Sequence, residues 1–134
     1  MSLGRMYLYA QLVAFLGFTG FGYAAPTRFA TMLGMTLTDV TAIADFSATY
    51  GGLCAGISVL LYLGATRTSW ERPALVLAVS ATAGLLLGRV LTLLQHGPAG
   101  AYIHGTMAVE LVAVVAGLWL LRADGQPAPS PGTA

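Results

Sequence analysis

The chain has 134 residues, of which 57% are hydrophobic and only 8% are charged, and its mean hydropathy is +0.77. Soluble domains carry about 25% charged residues, so this chain has too few to cover a globular surface. Its net charge of +1 argues against a nucleic-acid partner. Its single cysteine, Cys54, excludes an intrachain disulfide.

Four separated apolar runs predict an integral membrane protein. Each run is close to the roughly 20 residues that a spanning helix needs. The expected fold class is all-α, an integral membrane four-helix bundle, formed by a single domain over residues 1–122. The predicted spans are about 6–25, 41–63, 73–94 and 101–121. Residues 123–134 are proline-rich and polar, and we expect them to form a disordered tail.

Several residues mark the ends of these runs. Arg5 before the first run would also suit a signal peptide, but the run is long and rich in bulky aromatic residues for one. Pro26 should end the first helix, and the residues after it fit either a short interfacial helix or an irregular loop. Asp39 is a candidate N-cap for the second helix. Pro73 suits the first turn of the third.

The arginines predict the orientation. With four spans, both termini and the polar turn at 66–72 lie on one side of the membrane. The arginines on that side are Arg5, Arg67, Arg72 and Arg122, whereas the other side has only Arg28. The positive-inside rule then places both termini in the cytoplasm. The expected location is the inner (plasma) membrane.

Three charges lie inside the apolar runs, where ionisable residues usually mark functional sites. At about 1.5 Å per residue, Asp45 and Arg89 lie at similar depths, roughly 6 and 8 Å, which predicts an ion pair between them. Glu110 and Tyr50 both lie roughly 13–14 Å deep. Tyr50 could hydrogen-bond to Glu110, or Glu110 could reach Arg89 as a second carboxylate. His96 shares a helical face with Arg89.

Small residues recur every four positions on the third helix, at Ser80, Gly84 and Gly88. Such stripes allow membrane helices to approach closely, so we interpret this one as packing. Exposed small-residue faces also make a homo-oligomer a reasonable expectation.

A family resemblance rests on the segment Asp45-Phe46-Ser47-Ala48-Thr49-Tyr50-Gly51-Gly52, on Gly88-Arg89 and on Glu110. With these residues the chain resembles a family of small four-helix bacterial membrane proteins known only as a domain of unknown function. The resemblance spans 6–122 and implies the topology and the recurring polar positions, but no activity. In that family the acid is more often glutamate, and an arginine usually stands where this chain has Ser47.

The polar residues leave three functions open. Binding of a small or amphipathic ligand would use Asp45, Tyr50, Arg89, His96 and Glu110, with Arg89 on an anionic head group. A membrane-embedded isomerase, cyclase or epoxide-opening enzyme would use Glu110 as its acid and Asp45 as its base. A structural or interaction subunit would use the charges only to set helix packing. The expected partner is membrane lipid, and the spacing of the histidines predicts neither a metal nor another cofactor.

Overall fold

The computed structural model of the chain describes residues 2–123, and all regular structure in that range is helical. The prediction of an all-α chain is therefore confirmed. The elements are α1 (Leu3–Ala24), α2 (Pro26–Met32), α3 (Val40–Phe46), a π-helical segment (Ser47–Leu53), α4 (Cys54–Thr66), α5 (Thr68–His96) and α6 (Ala101–Ala123). The chain divides into two compact units, Met1–Ala74 and Leu75–Ala134, and each unit is described by itself below.

Within residues 2–123, three helical stretches are long and apolar enough to cross a membrane. They are Val40–Thr66, Thr68–His96 and Ala101–Ala123, in agreement with the predicted membrane class. The helix α1 has 22 residues but is not one of the three, because Gln11, Thr19 and several glycines and tyrosines dilute its apolar side chains. The fourth span, and with it the four-helix bundle in a single domain, stays a prediction.

The predicted ends of the first two helices are present. The helix α1 ends at Ala24, and Pro26 begins α2, so the segment after Pro26 is a short helix and not an irregular loop. Asp39 caps α3, since its Oδ1 accepts a hydrogen bond from the backbone N–H of Ala42 at 2.9 Å. This bond satisfies one of the N–H groups that the first turn of a helix leaves without a partner.

Two predicted boundaries are wrong. The helix α5 begins at Thr68, so Pro73 lies inside it and not in its first turn. The polar turn expected at 66–72 is reduced to Arg67, whose backbone is extended and whose carbonyl accepts from the N–H of Trp70 at 3.0 Å. Because proline has no N–H, Pro73 cannot donate to the carbonyl of Ser69 four residues earlier, so the start of α5 lacks one helical hydrogen bond. At the other end Ala123 is still helical, and the rest of the expected tail, 124–134, lies outside the described residues.

In the first unit, α1 packs against the π-helical segment with the two backbones in contact. A Cβ atom added to Gly22 would lie 2.5 Å from the backbone nitrogen of Gly51, closer than any side chain can come. A Cβ atom on Gly51 would lie 2.6 Å from the ring of Tyr23, whose hydroxyl covers Gly52. Glycine is therefore required at the crossing, and the Gly-Gly pair of the family segment serves packing.

The helix α1 also packs along α4. Leu8 and Leu61 are fully buried. Because Gly64 has no side chain, the methyl group of Ala74, in the second turn of α5, fills the space beside it. Close contact through small residues is the usual way in which apolar helices associate when the surrounding lipid is equally apolar.

The second unit contains the rest of α5 and the whole of α6, joined by residues 97–100. Gly97 ends the helix with φ +90°, a left-handed conformation that glycine adopts without steric cost. Its N–H donates to the carbonyl of Leu93 at 3.0 Å. The two long apolar helices therefore form a helical hairpin.

Candidate functional site

Arg89 of α5 and Glu110 of α6 form an ion pair within the second unit. The Arg89 Nη1 group donates a hydrogen bond to Glu110 Oε1. Glu110 is 8% exposed, and its Oε2 atom is buried with no hydrogen-bond partner among residues 2–123. A buried carboxylate oxygen without a donor is costly and calls for an explanation. The side chain of Arg89 is 28% exposed, so one end of the pair is accessible.

The hairpin brings these two residues together through their distances from the turn. Arg89 precedes the last residue of α5, His96, by seven positions, and Glu110 follows the first residue of α6, Ala101, by nine. At about 1.5 Å per residue the two Cα atoms differ in height by roughly 3 Å, which an extended arginine side chain bridges. The sequence allowed Arg89 to pair with Asp45 or with Glu110, and the structure shows the contact with Glu110.

A pocket of about 360 Å³ opens beside Arg89. Its lining residues are Gly84, Leu85, Gly88, Arg89, Thr92, Leu93, Ala99 and Ile103. The volume is within the range of small-molecule sites, which are mostly apolar with a few polar groups that fix orientation. Here Arg89 supplies a cation and Thr92 a hydroxyl, while the other side chains in the lining are apolar.

The small-residue stripe on α5 has a use that the sequence did not reveal. Gly84 and Gly88 line the pocket, and a Cβ atom at either would meet nothing within 4 Å. The packing role expected for these two glycines has no support here, because no neighbour comes close enough to need the missing side chain. Their contribution is open volume next to a cation. A pattern of small residues cannot by itself distinguish a close helix contact from a cavity.

Asp45 and Tyr50 belong to the first unit. Asp45 is exposed near the start of the Val40–Thr66 span. Tyr50 lies in an aromatic cluster: its ring stacks on Phe46 with centroids 4.4 Å apart and meets Phe29 edge-on at 5.5 Å. Much of the family segment thus packs α2, α3 and the π-helical segment together. The Asp45–Arg89 pair and the Tyr50–Glu110 hydrogen bond would join the two units, and both stay predictions.

His96 is the last residue of α5 and is exposed. It does not contribute to the lining of the pocket, so its predicted part in ligand binding would need a ligand that extends beyond it. His104 lies in α6, and its Nδ1 is 3.2 Å from the carbonyl oxygen of Gly100. A hydrogen bond to this nearby carbonyl fits the interfacial role that is usual for such histidines.

One ion pair was missed by the sequence analysis. Arg5 Nε lies 3.3 Å from Glu71 Oε2, joining the start of α1 to the first turn of α5. The two residues are 66 positions apart. The pair could have been predicted from the topology, because Arg5 and the turn at 66–72, which contains Glu71, were expected on the same side of the membrane.

The comparisons with known proteins give one match. The family model described as Domain of unknown function (DUF4345) matches residues 3–121, in agreement with the resemblance drawn from the sequence. No curated protein and no solved structure matches the chain.

Proposed function

Because the chain belongs to the DUF4345 family, a domain of unknown function, we propose its function from its own residues: it binds a small amphipathic anion within the membrane. In this proposal it is a four-span protein of the plasma membrane with both termini in the cytoplasm. The anionic group of the ligand binds Arg89, and its apolar part fills the pocket in the second unit. The observation that carries the proposal is a guanidinium group beside an otherwise largely apolar cavity.

The hydrogen-bonding capacity of Arg89 supports this assignment. A guanidinium group has five N–H donors in a rigid fork, and among residues 2–123 the Arg89 side chain donates to Glu110 Oε1 alone. Donors therefore remain for a carboxylate or phosphate in the pocket. In the low dielectric of a membrane such charge-assisted hydrogen bonds are strong. Glu110 also neutralises Arg89 when no ligand is bound, which lowers the cost of keeping a cation in an apolar region.

The proposal is tested with decanoate as the probe, because it combines one carboxylate with a short apolar chain. The dissociation constant is measured by thermal shift on protein purified in a non-ionic detergent, with decanol as the uncharged comparison. Arg89→Gln should weaken decanoate binding at least about tenfold, the effect expected for one charge-assisted hydrogen bond. Decanol should bind weakly and equally to both proteins. Equal decanoate affinity for wild type and Arg89→Gln would contradict the proposal.

The shape of the pocket supplies a matched pair of variants. Gly84 lines the pocket, so Gly84→Leu would fill part of it with a side chain and should abolish decanoate binding. Gly105→Leu makes the same change on α6, where a Cβ atom also meets nothing within 4 Å, but outside the lining. It should leave decanoate affinity unchanged. Equal effects of the two substitutions would show that decanoate does not bind in this pocket.

The second candidate is a structural subunit, and the Arg89–Glu110 pair itself favours it, because it ties two helices together. Glu110→Gln separates the two functions. If the pocket binds an anion, removing the negative charge that competes for Arg89 should tighten decanoate binding. If the pair only sets helix packing, Glu110→Gln should lower the melting temperature without any effect on decanoate.

A further inference from the structure

In the first unit, the negative charge of Glu71 is paired with Arg5 at one end of the helices. Ser2 Oγ donates to Glu71 Oε1 at 2.5 Å, and Arg5 Nε donates to Glu71 Oε2 at 3.3 Å. Arg5 Nη2 also donates to Thr68 Oγ1 at 2.6 Å. The side chain of Glu71 is only 14% exposed. Its charge is thus neutralised inside the protein and does not oppose an anion at the surface.

The neighbouring arginines remain exposed. Arg67 is the one residue between α4 and α5, Arg72 lies in the second turn of α5, and Trp70 lies between them with 40% of its surface exposed. Within residues 2–123 the side chains of Arg67 and Arg72 form no hydrogen bond. Three arginines, counting Arg5, against Glu71 leave this end of the unit with a net charge of +2.

This connection lies at the edge of the bilayer. It joins Val40–Thr66 to Thr68–His96, both of which are long and apolar enough to span a membrane. The head groups of the adjoining leaflet are therefore next to it. Tryptophan is enriched at this level because its ring is largely apolar while its N–H group hydrogen-bonds. Guanidinium groups bind phosphate through two parallel hydrogen bonds.

We propose that Arg67, Trp70 and Arg72 form a binding surface for the head groups of anionic phospholipids. The two guanidinium groups bind phosphate oxygens, and the Trp70 ring anchors the surface at the level of the glycerol backbone. This surface is in the first unit and is independent of the pocket beside Arg89, so neither proposal rests on the other. In the proposed orientation it faces the cytoplasmic leaflet, where anionic lipids concentrate.

The test is native mass spectrometry of the full chain, titrated with phosphatidylglycerol and with phosphatidylcholine of identical acyl chains. The measured quantity is the ratio of the two dissociation constants. Wild type should prefer phosphatidylglycerol. Since each arginine near an anionic surface contributes about fivefold, Arg67→Gln with Arg72→Gln should reduce that preference by up to about thirtyfold. A double variant that keeps the full preference would overturn the proposal.

The control is Arg28→Gln, which removes one charge from an exposed arginine on the opposite side of the membrane in the proposed orientation, and it is compared with Arg67→Gln and Arg72→Gln measured singly. This control should keep the preference for phosphatidylglycerol. A loss as large as that caused by changing Arg67 or Arg72 would show an effect of net charge alone and would overturn the site. If the double variant of Arg67 and Arg72 does not fold, the single variants Arg67→Gln and Arg72→Gln provide the test. An unchanged preference for phosphatidylglycerol in both would overturn the proposal. Displacement of phosphatidylglycerol by excess inorganic phosphate would identify a soluble-anion site and also overturn the lipid assignment.

Discussion

The guanidinium group of Arg89 donates a hydrogen bond to Glu110 Oε1 across the hairpin of α5 and α6. The two charges lie 21 positions apart in the sequence, on two helices that are each long and apolar enough to span a membrane. Because Glu110 is buried and Arg89 lines a pocket, this single contact connects the stability of the hairpin to its proposed ligand.

Breaking the pair should destabilise the protein. Arg89→Leu leaves a buried carboxylate without its cation, and the cost should be about 3 kcal/mol, the lower end for a buried pair because Arg89 is partly exposed. Glu110→Leu should cost a similar amount. The double variant should recover much of the loss, since neither charge then remains. Melting in detergent measures the three variants, and purely additive effects would show that the two residues do not interact.

A second cycle tests whether Asp45 also approaches Arg89, as their matched depths predict. Asp45→Asn should destabilise the protein, and the double variant Asp45→Asn with Arg89→Gln should lose less stability than the sum of the two single changes. Additive effects would exclude the pair. Asp39→Asn provides the control, because Asp39 caps α3 outside the predicted site and asparagine is an equally good N-cap.

The crossing of α1 and the π-helical segment predicts a sharp difference between two neighbouring glycines. Gly22→Ala places a methyl group 2.5 Å from the backbone nitrogen of Gly51, and this overpacking should cost about 1–3 kcal/mol or more. Gly20→Ala is the control in the same helix, since its Cβ atom would meet nothing within 4 Å. It should be neutral or stabilising by up to about 1 kcal/mol through helix propensity. Thermal unfolding of both variants would measure the difference, and equal stabilities would contradict the close crossing.

The proposed topology is tested at both ends of the chain. Alkaline phosphatase fused to the C-terminus should be inactive, because that end is expected in the cytoplasm, whereas a fusion after Gly100 should be active. With four spans, an epitope tag at the N-terminus should be protected in spheroplasts. An accessible N-terminal tag would place the two ends on opposite sides and show that only three helices span.

The class of the protein could be predicted from sequence because it depends on local quantities. The length of an apolar run and its scarcity of charge decide whether a helix can cross a bilayer, and no tertiary contact enters that balance. Asp39 as a cap and Pro26 as the end of α1 were equally predictable, since capping and the missing proline N–H act within one turn. The family resemblance also rested on residues readable in order along the chain.

The partner of Arg89 was decided only by the tertiary structure. Residue number sets the depth of a side chain along a helix, so the sequence allowed both Asp45 and Glu110 as partners of Arg89. Residue number does not set how each helix is rotated about its axis. The hairpin turned Glu110 toward Arg89. Likewise, the glycine stripe on α5 became the wall of a pocket while Gly22 and Gly51 became a backbone contact. Small residues permit both outcomes, and only the packing of the neighbouring helix determines which of them occurs.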